Sequence, residues 1–346
     1  MFLNKRLMSP EFLYYKALEK RAELDFEEKR NLYNIEKGFE GECLYDKIFD
    51  EIGHDNVYIL RNLYLKAGKS ITQFDSIIIS IDRVVVNEIK NYSGDYHYEN
   101  NGWYRNGRQL KDNAHNQLSR AKGKIIQLRD DANMHFDVDG AVIFMGDDFR
   151  LTTKSDHIWS ETVMRNQLRN YFRQFKKERM GDEAKSIVYL IKNSIAENPY
   201  FEEAGDIARM QRGLYCGECG SFELIKSRFQ FTCPSCGSIE SNETHLLRTM
   251  SDHKYLFFNQ PITKQSILHL IDYQISEDGV YRFLKKHCHS NLMGKKTTYT
   301  FKYYDWLEPI AEIRENQRYK DKVQKEFAVC SAMRHCHSRV RAFAPQ

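Results

Sequence analysis

The sequence predicts an α/β protein with helices flanking a mixed sheet, followed by two smaller modules. Three observations carry that expectation. The first 150 residues read helix, three strands, helix, strand. Two Cys-x-x-Cys pairs then flank 13 residues. Residues 262–304 pattern as helix, turn, helix and basic strand.

The elements follow in order. Residues 11–53 are dense in helix-forming Glu, Lys, Arg, Leu and Ala, with Ile35, Phe39, Leu44, Ile48, Phe49 and Ile52 on a helical period and Gly53 as a stop. Runs 57–65, 73–79 and 83–90 are rich in Ile, Val and Tyr and read as strands. Residues 95–109 form a hairpin around Asn100-Asn101-Gly102. An amphipathic helix over 111–131 and a short buried strand over 141–145 complete the first module. Residues 160–210 read as mostly helical and charged.

Composition excludes several classes. Of 346 residues, 41% are apolar and 29% charged, as in ordinary globular chains, and six prolines leave no long disordered linker. No apolar run reaches the roughly 18 residues of a membrane span, and the first 15 residues lack a signal-peptide core. A cytoplasmic location is therefore expected. In that reducing compartment paired cysteines are metal ligands before they are disulfides. The net charge of +4 permits a nucleic-acid partner without requiring one.

The acidic residues between 42 and 90 carry the chemistry. Alternation along strand 83–90 puts Val84, Val86, Glu88 and Lys90 on one face, and along strand 73–79 Gln73, Asp75, Ile77 and Ile79 on another. Charges ending apolar strands are costly unless paired. A divalent cation gives them a purpose: Mg²⁺ takes oxygen ligands, keeps waters and neutralises charge on a phosphate. Asp75 and Glu88 could hold it, Lys90 could orient or help deprotonate a water, and Glu42 would approach from the helix. Gly38 and Gly41 each cost roughly 1 kcal/mol inside a helix, which close packing against the sheet would explain. A plain ion-pair cluster at the sheet end is the alternative.

Gly38-Phe39-Glu40-Gly41-Glu42, Gln73-Phe74-Asp75 and Glu88-Ile89-Lys90-Asn91-Tyr92-Ser93-Gly94 together resemble the nuclease-related domain, NERD, of the PD-(D/E)XK nuclease superfamily. Trp103 and the segment Asn113 to Gln117 also fit its pattern. The resemblance implies an αβββαβ core that hydrolyses phosphodiesters with Mg²⁺ or Mn²⁺. It makes Glu42, Asp75 and Glu88 the metal-binding acids, Lys90 the catalytic lysine and Gln117 a residue facing the site. Two departures, Gln73-Phe74-Asp75-Ser76 for the commoner Glu-Ile-Asp-His and Ala114 where proline is common, remove no ligand. Gln117, Arg120 and Lys124 share a helix stripe that either contacts DNA or is simply solvated.

Cys216, Cys219, Cys233 and Cys236, each pair followed by glycine, suit tetrahedral Zn²⁺ and resemble a zinc ribbon. Four thiolates leave no open coordination position, so the metal is structural. His287-Cys288-His289 and His335-Cys336-His337 match no closed metal site, and Cys43 reads as a packed small side chain. The run 262–304 resembles a winged helix-turn-helix. DNA contacts are then expected from Tyr281, Arg282, Lys285 and Lys286 on its second helix and from Lys295 and Lys296 on the wing. Seven basic against three acidic residues between 264 and 302 suit phosphate contact.

The expected organisation is a helical extension (1–30), the nuclease-like domain (31–150), a helical linker (151–212), the ribbon (213–240), the winged-helix-like module (241–305) and a charged tail (306–346). The leading functional expectation is a Mg²⁺-dependent DNA endonuclease. The alternatives are a DNA-binding protein that does not cut and a scaffold whose ribbon and winged helix bind proteins. RNA as substrate, a homo-oligomer and a protein partner all stay open.

Overall fold

The computed structural model describes residues 1–199, 201–202, 204–258, 260–293, 296–316 and 320–322. They fall into two compact units, one built on Met1–Leu7 and Asn34–Pro199, the other on Met8–Tyr33 and residues 200–322.

The first unit is organised by a six-stranded mixed sheet. Its order is Ile195–Ala196, Tyr58–Ala67, Ser70–Ile79, Arg83–Lys90, Asp137–Phe144 and Thr162–Met164. Arg83–Lys90 pairs antiparallel with Ser70–Ile79 and parallel with Asp137–Phe144. The parallel step needs a crossover, and helix Ala114–Asp131 supplies it. Val84 and Val86 pack on one face with Leu118, Ala121 and Ile125 of that helix. Val85 and Ile89 pack on the other with Tyr45, Ile48 and Phe49 of helix Phe26–Ile52. Residues 95–109 add a hairpin within a second, four-stranded sheet. The stretch 151–212, helical by composition, contributes helix Asp182–Asn193 but also both edge strands of the main sheet. Runs of two or three residues are too short to show a period, so pattern reading passes over them.

Two local breaks shape the site. Strand alternation fails at Asp75: Phe74 and Ile77, three residues apart, lie in the same core. On the partner strand Leu60 and Leu63 do likewise, around Asn62 at φ 44°. The pairing of Ser70–Ile79 with Arg83–Lys90 ends at Ser76↔Asn87. Asp75 is therefore released from the ladder and does not simply share a face with Gln73 and Ile77. The second break is Gly41. A Cβ there would stand 2.6 Å from Asn91 Cβ, whereas one at Gly38 would meet nothing within 4 Å. Close approach explains the first glycine and not the second. Gly41→Ala should thus lower stability by about 1–3 kcal/mol through overpacking. Gly38→Ala should raise it by roughly 1 kcal/mol through helix propensity. Urea unfolding of the two variants against the parent checks both signs.

In the second unit, helix Pro10–Arg21 is capped by Ser9. The helix expected over 11–53 is interrupted. Asp25 and Glu28 exchange side-chain-to-backbone hydrogen bonds at 2.9 Å, a reciprocal cap that starts a new helix at Phe26. Helices Asn242–Leu256, Lys264–Leu270 and Glu277–His287 share one apolar core. Thr263 and Ser276 cap the last two. A two-stranded hairpin follows, Cys288–Met293 with Lys296–Phe301, in which Asn291 lies opposite Thr298. Cys330, His335, Cys336 and His337 lie outside the described residues.

Candidate nuclease-type site and cysteine centre

Glu88 and Lys90 stand side by side where Arg83–Lys90 ends, Nζ donating to Glu88 Oε1 at 2.7 Å. Asp75, freed from the ladder, uses its side chain in place of the missing backbone partner. Its Oδ2 accepts from the Ile89 amide at 2.8 Å. Both carboxylates are only 9% exposed. Burial, and after it the Asp75 charge, push the Glu88 carboxyl up to about 7, with Lys90 and Arg120 opposing. Against the burial that would lower it, Glu88 and Asp75 hold the Lys90 ammonium well above its ordinary value. Lys90 is therefore a fixed positive charge here rather than a base.

Glu42 is held by a residue the sequence did not single out. Arg6, fully buried, donates from Nη1 to Glu42 Oε2 at 2.6 Å. Its Nε and Nη2 reach the two oxygens of Asp46 at 2.7 and 3.0 Å, and Nη2 also reaches the Asp75 carbonyl at 3.2 Å. Arg61 Nη1 donates to Asp46 Oδ2 at 2.9 Å. Burial pushes the Glu42 carboxyl up to about 7; Arg6 opposes it, and Asp75 and Asp46 add to it. Glu42, Asp75 and Glu88 do not all gather within 4.8 Å. Among the described residues the cysteines alone form a group of three or more Cys, His, Asp or Glu that does.

Gln117 and Arg120 lie on the first turns of helix Ala114–Asp131. Arg120 is exposed and acts on the Glu88 charge. Gln117 Oε1 is buried without a hydrogen-bond partner among the described residues. Lys124, expected on the same stripe, is turned away: it donates to the Ala67 carbonyl at 3.1 Å and to Gln127 Oε1 at 3.0 Å. Buried carboxylates and an unused amide oxygen are hard donors of the kind Mg²⁺ takes, and the mutual repulsion of the acids calls for a cation. The residues fit such an ion.

The raised carboxyls set a pH dependence. A carboxyl raised in the folded state gives stability that is complete below its unfolded value, near 4.5, and lost as pH rises through about 7. Without metal, these two carboxyls remove stability as pH rises from about 5.5 to 8, while His54, His245 and His253, held down to about 4 by burial, add stability up to about pH 6.5. The effect of Mg²⁺ isolates the acids: it should raise the melting temperature at the higher pH and change it little at the lower, since protonated carboxyls bind no cation. Thermal melts at both pH values, with and without Mg²⁺, check the sign.

In the second unit Cys216, Cys219, Cys233 and Cys236 place their sulfurs within 4.8 Å of one another, an arrangement that fits a zinc ribbon. The two knuckles repeat each other. Gly220 and Gly237 have φ of 76° and 74°, and their amides donate to the Cys216 and Cys233 carbonyls at 2.9 and 2.8 Å. The Ser238 hydroxyl lies 3.0 Å from Cys216 Sγ and 3.2 Å from Cys236 Sγ.

On helix Glu277–His287, Tyr281, Arg282 and Lys285 are exposed, with the Lys285 ammonium 5.0 Å from the Tyr281 ring centroid. Lys286 is engaged, donating to Glu243 at 2.6 Å. Lys295 and the side chain of Lys296 lie outside the described residues. No helix among the described residues is long and apolar enough to cross a membrane.

Arg6, Asp46 and Arg61 escaped sequence reading because no periodicity links Arg6 to partners 36 to 69 positions away, or Asp46 on a helix to Arg61 on a strand 15 positions on. No curated protein and no solved structure matches the chain. Residues 37–145 do match the family model of NERD, the nuclease-related domain. That match takes in the Glu42 helix from residue 37, the Asp75 and Glu88–Lys90 strands and the Gln117 helix, so the residues of the candidate site, Arg6 apart, lie in the stretch similar to a nuclease-related domain.

Proposed function

We propose that the protein is a DNA endonuclease that hydrolyses phosphodiester bonds with Mg²⁺ or Mn²⁺. The observation that carries this reading is the junction of Asp75, Glu88 and Lys90 at one strand end, with Arg120 acting on the Glu88 charge. Asp75 and Glu88 would hold the cation. When bound, it lowers the pKa of a coordinated water and offsets charge on the phosphate. Lys90, kept protonated by its two acidic neighbours, faces the negative charge that builds on the phosphate oxygens. Gln117 Oε1 can accept a hydrogen bond from the attacking water, and exposed Arg120 can pair with a phosphate oxygen. Water attack on phosphorus, with departure of the 3′ oxygen, leaves a 5′-phosphate and a 3′-hydroxyl. Conversion of supercoiled plasmid to nicked and linear forms, dependent on Mg²⁺ and stopped by EDTA, tests the reading.

The grip on DNA is assigned to the second unit. Helix Glu277–His287 exposes Tyr281, Arg282 and Lys285 as a winged helix exposes its recognition face, with the hairpin that follows as the wing. Replacing Arg282 and Lys285 together by Ala should weaken DNA binding and reduce the slope of log K against log salt by about 2. An unchanged slope in fluorescence anisotropy removes this helix from the interface.

A second reading, a domain that binds DNA without cutting, draws on the hold of Arg6 on Glu42 and on carboxylates that do not all gather within 4.8 Å. Salt-sensitive binding without Mg²⁺-dependent nicking would establish it.

A further inference from the structure

Arg6 lies outside the matched nuclease-related stretch, yet its guanidinium is placed in the middle of the acidic residues. Four of its contacts are charge-assisted or carbonyl hydrogen bonds: Glu42 Oε2, both oxygens of Asp46, and the backbone oxygen of Asp75. This fork is rigid and cannot lose its proton, so it competes with any cation for Glu42 at every pH. It is also anchored from behind. Asp46 is shared with Arg61, and Arg61 is fixed by the carbonyl of Asn4, two residues before Arg6. Glu42 does not gather with Asp75 and Glu88 within 4.8 Å, and swinging it to an ion on those two would pull its Oε2 from a fully buried arginine, an expensive change.

The charge count points the same way. Arg6, Arg61, Lys90 and the exposed Arg120 stand against Glu42, Asp46, Asp75 and Glu88. Four cations against four ionised carboxylates leave no net charge. One divalent ion together with one phosphodiester charge leaves a single positive charge. A second divalent ion would leave three.

We infer that Arg6 is a positioning residue that withholds Glu42 from metal coordination, so that the site takes a single divalent cation on Asp75 and Glu88. Glu42 then serves as the counter-charge that seats Arg6 and, through it, the Asp75 backbone. The inference rests on the nuclease reading of the site and deepens it.

The test is Mn²⁺ binding at about pH 8, where carboxyls of pKa about 7 are ionised, followed by titration calorimetry and by loss of the free-ion paramagnetic resonance signal on the full chain. The parent should bind one ion. Glu42→Gln should still bind one, with affinity within about threefold of the parent, because an outer-shell change is milder than loss of a ligand. Asp75→Asn should bind none. Circular dichroism shows whether Glu42→Gln folds. If it does not, the double variant Arg6→Gln/Glu42→Gln, which deletes both buried charges together, takes its place and should also bind one. Two ions in the parent, or loss of the ion from whichever Glu42 variant is folded, overturns the inference and leaves the nuclease reading standing. No ion in the parent overturns both.

Discussion

Asp75→Asn should abolish Mg²⁺-dependent nicking while leaving the chain folded. Asparagine has the shape of aspartate, and its carbonyl oxygen can still accept from the Ile89 amide, the bond Asp75 Oδ2 makes at 2.8 Å. The strand end is thereby preserved and only the negative charge is lost. Losing one of two proposed metal ligands removes both the activated water and the charge compensation, so initial nicking rates should fall by about 10³-fold or more. Lys90→Ala acts differently. Glu88 loses the ammonium 2.7 Å away but remains a ligand, so metal binding should persist while the rate falls by roughly 10²-fold, the loss expected when one preorganised charge facing the phosphate is removed. Nicking rates, read beside Mn²⁺ binding and circular dichroism, separate the two. Cutting by Asp75→Asn at the parental rate would rule out this strand end as the place of chemistry.

The contrast between two adjacent strands shows what the sequence could and could not disclose. Arg83–Lys90 is a regular strand, paired along its whole length with Asp137–Phe144 and over Val84–Asn87 with Ser70–Ile79, and its alternation reads correctly residue by residue. Val84 and Val86 face one core with Glu88 beyond them. Val85 and Ile89 face the other, and Asn87 there donates to Tyr45 Oη at 2.7 Å and accepts from Tyr171 at 2.6 Å. Ser70–Ile79 has an equally strand-like composition, but its ladder to Arg83–Lys90 stops at Ser76. Where the ladder stops, alternation no longer binds, and Asp75 goes where its hydrogen bond to Ile89 takes it. Most helices were legible, Asn242–Leu256 excepted, while the break at residues 22–25 depended on a reciprocal cap between Asp25 and Glu28 that carries no hydrophobic signal. Arg6 is the extreme case. Its meaning lies wholly in contacts with residues 42, 46 and 75, and a lone arginine among Asn4, Lys5 and Leu7 looks like any exposed terminus.

Loss of zinc should unfold the four-cysteine segment and loosen the helix that follows it, while sparing the nuclease-related domain. The segment around the cysteines buries few large side chains: Leu214, Tyr215 and Phe231. Its sheet has strands of only two or three residues, Ile225–Lys226, Gln230–Thr232 and Ile239–Ser241. Such a segment has little apolar area to offset its chain entropy, and zinc at the four sulfurs, worth about 10–16 kcal/mol in comparable isolated zinc modules, would supply the difference. Damage should then pass along identifiable bonds. The Gly217 amide, inside the first knuckle, donates to Glu240 Oε2 at 2.9 Å, and Glu240 is the buried partner of Arg248 on helix Asn242–Leu256. Ser241, the end of the third strand, is that helix's N-cap through Thr244 N at 3.1 Å. Loss of the knuckle therefore frees both the cap and the counter-charge, and a lost N-cap alone costs roughly 1 kcal/mol. A zinc-selective chelator, or Cys216→Ser, should raise amide hydrogen exchange across residues 214–248, with exchange in Arg83–Lys90 and Asp137–Phe144 unchanged. A purified chain without bound zinc, or exchange across 214–248 unmoved by the chelator, would mean that the four sulfurs lie close together for some reason other than a metal.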